Sequence, residues 1–596
     1  MSRIDFSVQM FRKAFAYCRD YGIKNTLKKI RETRSGFDQY DEFLKIHQLT
    51  EEELERQRKE VFTYQPRISV LVPVYNVLDK HLVPCIESVL NQTYGNWELC
   101  MADDCSTWDN VRETLSQYED HPQVRIVYRS ENGHISRSTN SALEAATGEY
   151  IAFLDCDDLL TPDALYEVAK LLNEHPDLDF IYSDEDKTDD DGVRFYMPYF
   201  KSDWAPDTLM AHMYTCHLGV YRRSVAVDLG GLRTGVEGSQ DYDFTLRFTE
   251  KTDRIAHIPK VLYHWRVREE STAGSQMAKP YILEAAKKAK EDALARRGLS
   301  GEVELIEGIY QYRVNYLPAV WPKVSVIIPS RDNYEVLDRC LSSFHEMTDY
   351  PDFEIILVDN GSTDENRGRY QQLSDQYHMT YLYQKEMFNF SHMCNLGSEA
   401  ATGEYLLFLN DDIEIIEQNW LKRMVGQASL SHTGAVGAKL LYPDRRTIQH
   451  VGVINILNGP CHALAGKSDE IQYYFGKNRL DYNQMAVTAA CLLVKKTKFE
   501  EVSGFDEELA VAYNDVELCF HLLTKGYYHV IRNDAVLIHH ESVSRGNDLE
   551  DSEKFDRLMR EQEKLYERYP QFVRGKDPFY SPNLSQHRVD FSLNLD

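Results

Sequence analysis

One block of sequence occurs twice. EAATGEYIAFLDCDD spans Glu144–Asp158, and EAATGEYLLFLNDD spans Glu399–Asp412. The first seven residues are identical, 255 positions apart, and the copies then diverge where their carboxylates sit. Further matches fall in the same order on either side. RISVLVPVYN (Arg67–Asn76) pairs with KVSVIIPSRD (Lys323–Asp332), and NWELCMADDCST (Asn96–Thr107) with DFEIILVDNGST (Asp352–Thr363). Later, QDYDFTLRF (Gln240–Phe248) pairs with NDVELCFHL (Asn514–Leu522), and VLYHW (Val261–Trp265) with VLIHH (Val536–His540). The offset holds at 255–256 and then grows to 274–275, so the copies are collinear with one insertion. A unit of this length is a domain, not a solenoid repeat, and a chain of 596 residues is too long for one core.

Each unit opens with a β-branched run ending at a proline (Ile68, Val70, Val72, Pro73; Val324, Val326, Ile328, Pro329). Apolar residues on both faces predict a strand inside a parallel sheet. A helical pattern follows, then a second apolar strand ending in carboxylates. Strand–helix–strand with ligand-type residues at strand C-termini is the nucleotide-binding half of an open α/β sheet. The expected division is a helical N-terminal segment 1–65, a first unit 66–300, a linker 301–321 where Pro318 and Pro322 flank Trp321, and a second unit 322–596 with a C-terminal extension.

Three carboxylate positions recur. Asp103-Asp104 and Asp359-Asn360 end the second strand, where a carboxylate can accept the imide N–H of a uracil or thymine base; the same residues also suit a plain turn. Asp155, Asp157 and Asp158, with Asp411 and Asp412 in the second copy, follow a strand of large apolar residues. Carboxylates crowded at a buried strand end repel one another, and a divalent cation is the usual reason for keeping them. Asp241 and Asp515 each begin a helical pattern, where a helix N-terminus stabilises the anion. A histidine follows at a similar interval, His264 and His539.

The formal charge of −28 argues against a nucleic-acid partner, which needs a basic face. Residues 1–35 are the exception, with nine Lys/Arg against three acids and aromatic residues at close to helical spacing. Such a helix can lie on an anionic membrane surface or pack its apolar face on the next domain. There is no bilayer-length apolar stretch and no apolar signal core. The eleven cysteines are scattered without a C-x-x-C pair, which reads as reduced thiols in a cytoplasmic protein.

As a set, these motifs resemble glycosyltransferase family 2, with its GT-A fold, over roughly residues 66–270 and 322–548. PVYN, ADDCST, ATGEYIAFLDCDD, EGSQDYDFTLRF and YHWR carry the resemblance in the first unit. VDNGSTD, FNFSHMCNLGSEAATGEYLLFLNDD, SGFDEELAVAYNDVELC and HHESVSRG carry it in the second. The second unit is most similar to bacterial rhamnosyltransferase-like members. The tandem order, with YSDEDK (Tyr182–Lys187) and FKSDWAPD (Phe200–Asp207), resembles enzymes of cell-wall and O-antigen polysaccharide synthesis.

The resemblance implies metal-dependent inverting transfer from a nucleotide-diphospho-sugar, such as dTDP-rhamnose or a UDP-sugar, to a lipid-linked saccharide. It implies Asp241 and Asp515 as general bases. Pro73, Tyr75, Asp103, Asp104, Arg137, Pro329, Asp359 and Asp411 would line the donor sites. Asp155, Asp157, His264, Asp412 and His539 would meet a Mn2+ or Mg2+ ion. His392 stands where Arg137 would, and Asn410 where Asp155 would, so the second unit should bind metal more weakly. A nucleotidyltransferase would want a Gly-rich loop after the first strand, which PVYNVLDK and PSRDNYEV lack. Whether both units or only one would be catalytic stays open at this stage.

Overall fold

The computed structural model describes residues 39–267, 280–540 and 552–596. The basic segment 1–35 lies outside them. Each unit is built on one large sheet, and the two sheets share a strand order. In the first unit the strands are β1 (Ile68–Val74), β2 (Trp97–Asp103), β3 (Val124–Tyr128), β4 (Tyr150–Phe153) and β5 (Leu159–Leu160). They are followed by β6 (Phe180–Thr188), β7 (Phe195–Tyr199), β8 (Gly219–Arg222) and β9 (Ile255–Arg266). The order is β3-β2-β1-β4-β8-β6-β9-β5, with β7 on β6. In the second unit the strands Thr380–Tyr383, Phe353–Asp359, Val324–Ser330, Tyr405–Leu409, Cys491–Lys495, Thr433–Leu441, Tyr528–His539 and Ile413–Ile415 lie side by side in that order. Position for position, this is the same sheet.

The parallel half fixes the site. β1 is flanked in parallel by β2 and β4, with Val74 opposite Asp103 and Leu71 opposite Phe153. Its counterpart places Ser330 opposite Asp359 and Ile327 opposite Phe408. Adjacent parallel strands therefore end together and deliver their terminal carboxylates to one edge.

The identical EAATGEY block has a structural cause. Glu98 on β2 is a buried carboxylate; it accepts from the Thr147 N–H (2.6 Å), the Gly148 N–H (2.9 Å) and Ser69 Oγ (2.7 Å). Burial opposes its charge, but these bonds and the one from Arg125 prevail and hold its pKa at about 2. Glu354 repeats the arrangement with Thr402 and Ser325. A Cβ on Gly148 would stand 2.6 Å from the Arg67 carbonyl, and one on Gly403 2.8 Å from that of Lys323. The threonine–glycine turn is locked to the preceding strands twice over.

Residues 301–321, expected as a linker, contain a β-hairpin, Gly301–Ile306 against Gln311–Tyr316. Its inward residues Tyr312, Val314 and Tyr316 are buried, and the Arg532 guanidinium of the second unit donates to the Val314 carbonyl (3.0 Å). The connector is thus part of the packed body. The C-terminal extension also crosses back: Asn583 Nδ2 donates to Asp184 Oδ2 (3.2 Å), and Asp203 N–H to the Pro578 carbonyl (2.7 Å). One apolar cluster joins Tyr40, Phe43 and Phe200 to Ile448, Tyr580 and Phe591. No described helix is long and apolar enough to cross a membrane, and the ten described cysteines are free thiols.

Candidate active sites

In the first unit, Asp103 ends β2 and accepts the Ser106 N–H (3.1 Å). Asp104, beside it, takes Arg129 Nε (2.7 Å) and the Gly133 N–H (2.9 Å), so it anchors the following loop. Pro73 lies within β1, and Tyr75 just beyond it is 47% exposed, open to a flat ligand at the sheet edge. Arg137 is exposed on the helix His134–Ala145.

Asp155, Asp157 and Asp158 follow β4. Burial, then the neighbouring Asp157 and Asp155, push the Asp158 carboxyl well above its ordinary range. Asp158 is committed internally, accepting Tyr263 Oη (2.5 Å) and the Arg266 N–H (2.7 Å). Asp155 and Asp157 lie on the same loop, on either side of Cys156.

Asp241 lies in the first turn of the helix Gln240–Thr249. Burial raises its carboxyl, with His217 and the first-turn amides acting against the rise. His217 and its partner Glu185 were not singled out from the sequence. The His217 N–H donates to Glu185 Oε2 (2.8 Å), and its ring stacks on Tyr263 at 4.5 Å and 13°. Burial favours the neutral imidazole, but Glu185 and then Asp155 and Asp158 outweigh it and raise His217 to about 9. Burial likewise disfavours ionised Glu185, but Lys201 and His217 hold it at about 2. Glu185, Cys216 and His217 bring ligand-type atoms within 4.8 Å of one another. The Lys201 ammonium, 3.2 Å from Glu185, already neutralises that carboxylate. The sequence signal was present: YSDEDK puts four charged residues in one strand, too many for an ordinary buried strand.

His264 is held through one ring nitrogen. Its Nδ1 meets Asp186 Oδ1 at 2.5 Å, and Asp186 also accepts Tyr40 Oη (2.6 Å). In the second unit the equivalent His539 stands beside the expected partner, with Nε2 3.1 Å from Asp412 Oδ1. The two histidines share a register, opposite Leu159 and Ile413 respectively.

That register also refines the comparison of the loops. Counted from Phe153 and Phe408, Asp412 matches Asp157. Counted back from Leu159 and Ile413, it matches Asp158. The first loop holds one residue more.

In the second unit, Asp359 is fully buried and accepts the Ser362 N–H (2.8 Å) and Tyr381 Oη (2.6 Å). Pro329 is buried within its strand. Asp411 accepts Ser330 Oγ (2.6 Å) and Asn333 Nδ2 (3.2 Å); burial still pushes it up to about 6. Asp515 repeats the place of Asp241 in the helix Asn514–Thr524 and accepts the Ala489 N–H (3.0 Å). His392, in the place of Arg137, lies between Glu386 and Glu507.

The donor sets fit a divalent cation. Asp412 Oδ1 and His539 Nδ1 are buried without a hydrogen bond among the described residues. Such orphaned acceptors are rare unless an ion or water completes them. Asp155 with Asp157, and Asp412 with His539, would hold the ion, which would offset charge on a diphosphate.

A mixed sheet of this order, ending its parallel strands in carboxylates and built twice, defines a tandem GT-A chain. Residues 69–230 and 325–503, more than half of it, match glycosyl transferase family 2. The chain belongs to that family. It is 43% identical over 537 residues to the uncharacterized protein y4gI of Sinorhizobium fredii, covering 89% of this chain and 59% of that one. It is 36% identical over 534 residues to the O-antigen biosynthesis protein RfbC of Myxococcus xanthus, covering 89% and 41%. The chain thus spans about half the length of these relatives. A solved structure of S. aureus TarS 1–349 with UDP-GlcNAc overlaps 38% of this chain and 66% of its own, at 23% identity and a TM-score of 0.33.

Proposed function

We propose that each unit transfers a sugar, with inversion, from a nucleotide-diphospho-sugar to a growing surface polysaccharide. The observation that carries this reading is the twofold presence of a carboxylate, Asp241 or Asp515, in the first turn of equivalent helices in sheets that end in acidic strand termini. Asp103 and Asp359 would receive the base. A bound Mn2+ or Mg2+ would offset the charge growing on the leaving diphosphate. Asp241 and Asp515 would take the acceptor hydroxyl proton during in-line attack; one base per site suffices. The O-antigen relative supports a saccharide acceptor, which we place on a lipid carrier, with rhamnose as the first sugar to test in the second unit. The basic segment 1–35 would hold the chain to an anionic membrane. Loss of liposome co-sedimentation on its deletion is the expected outcome, and unchanged sedimentation rejects the idea.

The deciding experiment is transfer across a panel of dTDP-, UDP- and GDP-sugars, with and without manganese, for the full chain and for Asp241→Asn and Asp515→Asn. Each substitution should abolish a different transfer. Asn410 favours a second reading, in which only the first unit is catalytic. On that reading Asp515→Asn would leave every transfer intact.

A further inference from the structure

The strand β9 ends in Tyr263-His264-Trp265-Arg266, and two of these residues reach the acidic loop that follows β4. Tyr263 Oη donates to Asp158 Oδ2 (2.5 Å) and accepts the Asp155 N–H (3.3 Å), so one hydroxyl spans both ends of the loop. The Arg266 N–H donates to Asp158 Oδ1 (2.7 Å), and its Nε to the Asp157 carbonyl (2.6 Å). Its Nη1 donates to the Asp190 carbonyl (2.7 Å). This guanidinium is 1% exposed and donates to main-chain carbonyls, an arrangement that fixes backbone rather than neutralises charge. Gly192 makes room for it, since a Cβ there would stand 3.0 Å from Nη1 and Nη2.

The connections close on themselves. The Asp190 carboxylate also pairs with His81 Nε2 (2.9 Å) and with Lys80 on the helix Asp79–Leu90. From the same helix, Cys85 Sγ donates to the Asp155 carbonyl (3.4 Å). The loop is therefore gripped from β9, from the turn at residues 189–192 and from the helix after β1.

Among the described residues the second unit repeats part of this device, with Cys340 Sγ reaching the Asn410 carbonyl (3.7 Å), but not the tyrosine. Ile538 occupies the place of Tyr263 and has no hydroxyl to offer. Its shorter loop is held from the other side, with Ser330 and Asn333 on Asp411.

We propose that Tyr263 and Arg266 are positioning residues of the first unit, fixing the separation and direction of Asp155 and Asp157, with Asp158 serving as the strut between them. The consequence for metal binding rests on the function proposed above; the bracing of the loop does not. Outer partners that orient metal ligands typically account for ten- to a hundredfold in affinity.

The test uses the full chain carrying Asp412→Asn and His539→Ala, which confines metal binding to the first unit. Into this parent go Tyr263→Phe and, separately, Arg266→Lys. Manganese binding is titrated by electron paramagnetic resonance with UDP present, and amide exchange is followed over residues 153–160. Both variants should weaken manganese about tenfold or more and speed exchange at Asp155 and Asp158, while kcat recovers at saturating manganese. Unchanged manganese affinity with unchanged exchange overturns the proposal. If the parent binds no manganese, the metal reading falls and exchange alone decides: faster in Tyr263→Phe upholds the bracing, unchanged rejects it. Should Arg266→Lys fail to fold, the single hydroxyl removed in Tyr263→Phe carries the test.

Discussion

Asp241 and Asp515 occupy the same helix position, but their surroundings differ. His217 and Glu185 act on Asp241 through their charges, but burial dominates and raises its pKa above 3.8. A general base must be ionised to work, so the first transfer should fall as pH drops through that raised value. The pH profile of kcat/KM should show an acid limb above the ordinary carboxylate range, which Asp241→Asn removes together with about 10²–10⁴ of the rate. A first-unit acid limb at or below 3.8 would contradict the assignment. Asp515 accepts the Ala489 amide, and Leu441, opposite Ile538 as Glu185 is opposite Tyr263, brings no charge. Two sheets of one design therefore hold their helix-borne carboxylates in different electrostatic settings. The candidate metal sites differ in the same way. Asn410 brings no charge, so chelation followed by manganese titration should restore the second transfer only at a higher manganese concentration than the first. Equal half-saturation for both would show that Asn410 is no handicap.

The repeated EAATGEY element conserves a hydrogen-bonded turn, not a catalytic surface. Glu98 holds Thr147, Gly148 and Ser69 together, and Glu98→Gln should cost about 2 kcal/mol by leaving buried donors poorly matched. Its pKa is lowered on folding, so its contribution is fully present above about 4.5 and is lost as pH falls toward about 2. Urea midpoints at pH 7 and pH 3 should differ less for the variant than for the parent. Gly148→Ala should cost about 1–3 kcal/mol, because its new methyl meets backbone at Arg67. A fully stable Gly148→Ala chain would mean that the turn has slack. This element shows how far sequence reading reached. The strand ends, the helix-borne carboxylates and the two-sheet plan were legible because each is a local pattern repeated in order. The Glu98–Thr147 knot was not, since its partners lie 49 positions apart and neither is unusual where it stands. Nor was the partner of His264. The strand order brings β6 beside β9, and only that pairing sets Asp186 against the imidazole. The connector read as a linker from its prolines, and its hairpin packs on both units, against the helix Pro280–Arg296 of the first and the helix Trp420–Ala428 of the second.

The two units meet through a buried polar network as well as through apolar clusters. Asp207 of the first unit accepts Gln427 Nε2 (2.7 Å), Asn483 Nδ2 (2.8 Å) and His432 Nε2 (3.0 Å), all from the second. Asn483 returns the contact by accepting the Asp207 and Thr208 amides (3.0 and 3.1 Å). Burial opposes the Asp207 charge, but His432 and the two amides hold its pKa below 3.8. Burial likewise opposes the His432 charge, and Asp207 outweighs it to raise that pKa above 6.5. The signs define a window. The share due to Asp207 is present above pH 3.8 and fades as pH falls through its lowered value. The share due to His432 is present below pH 6.5 and fades as pH rises through its raised value. The seam is therefore strongest from about pH 4 to pH 6.5 and loosens on either side. Asp207→Ala should cost about 3–5 kcal/mol, since it strands the histidine and both amides in a buried seam. His432→Gln should leave the amides paired to Asp207 and flatten the alkaline side of the stability profile. The measurement is urea unfolding of the parent and both variants at pH 5, 7 and 9. If His432→Gln follows the parent from pH 5 to pH 9, the ion pair plays no part in joining the units. The seam would then rest on the amides and on the apolar cluster around Phe200 and Phe591.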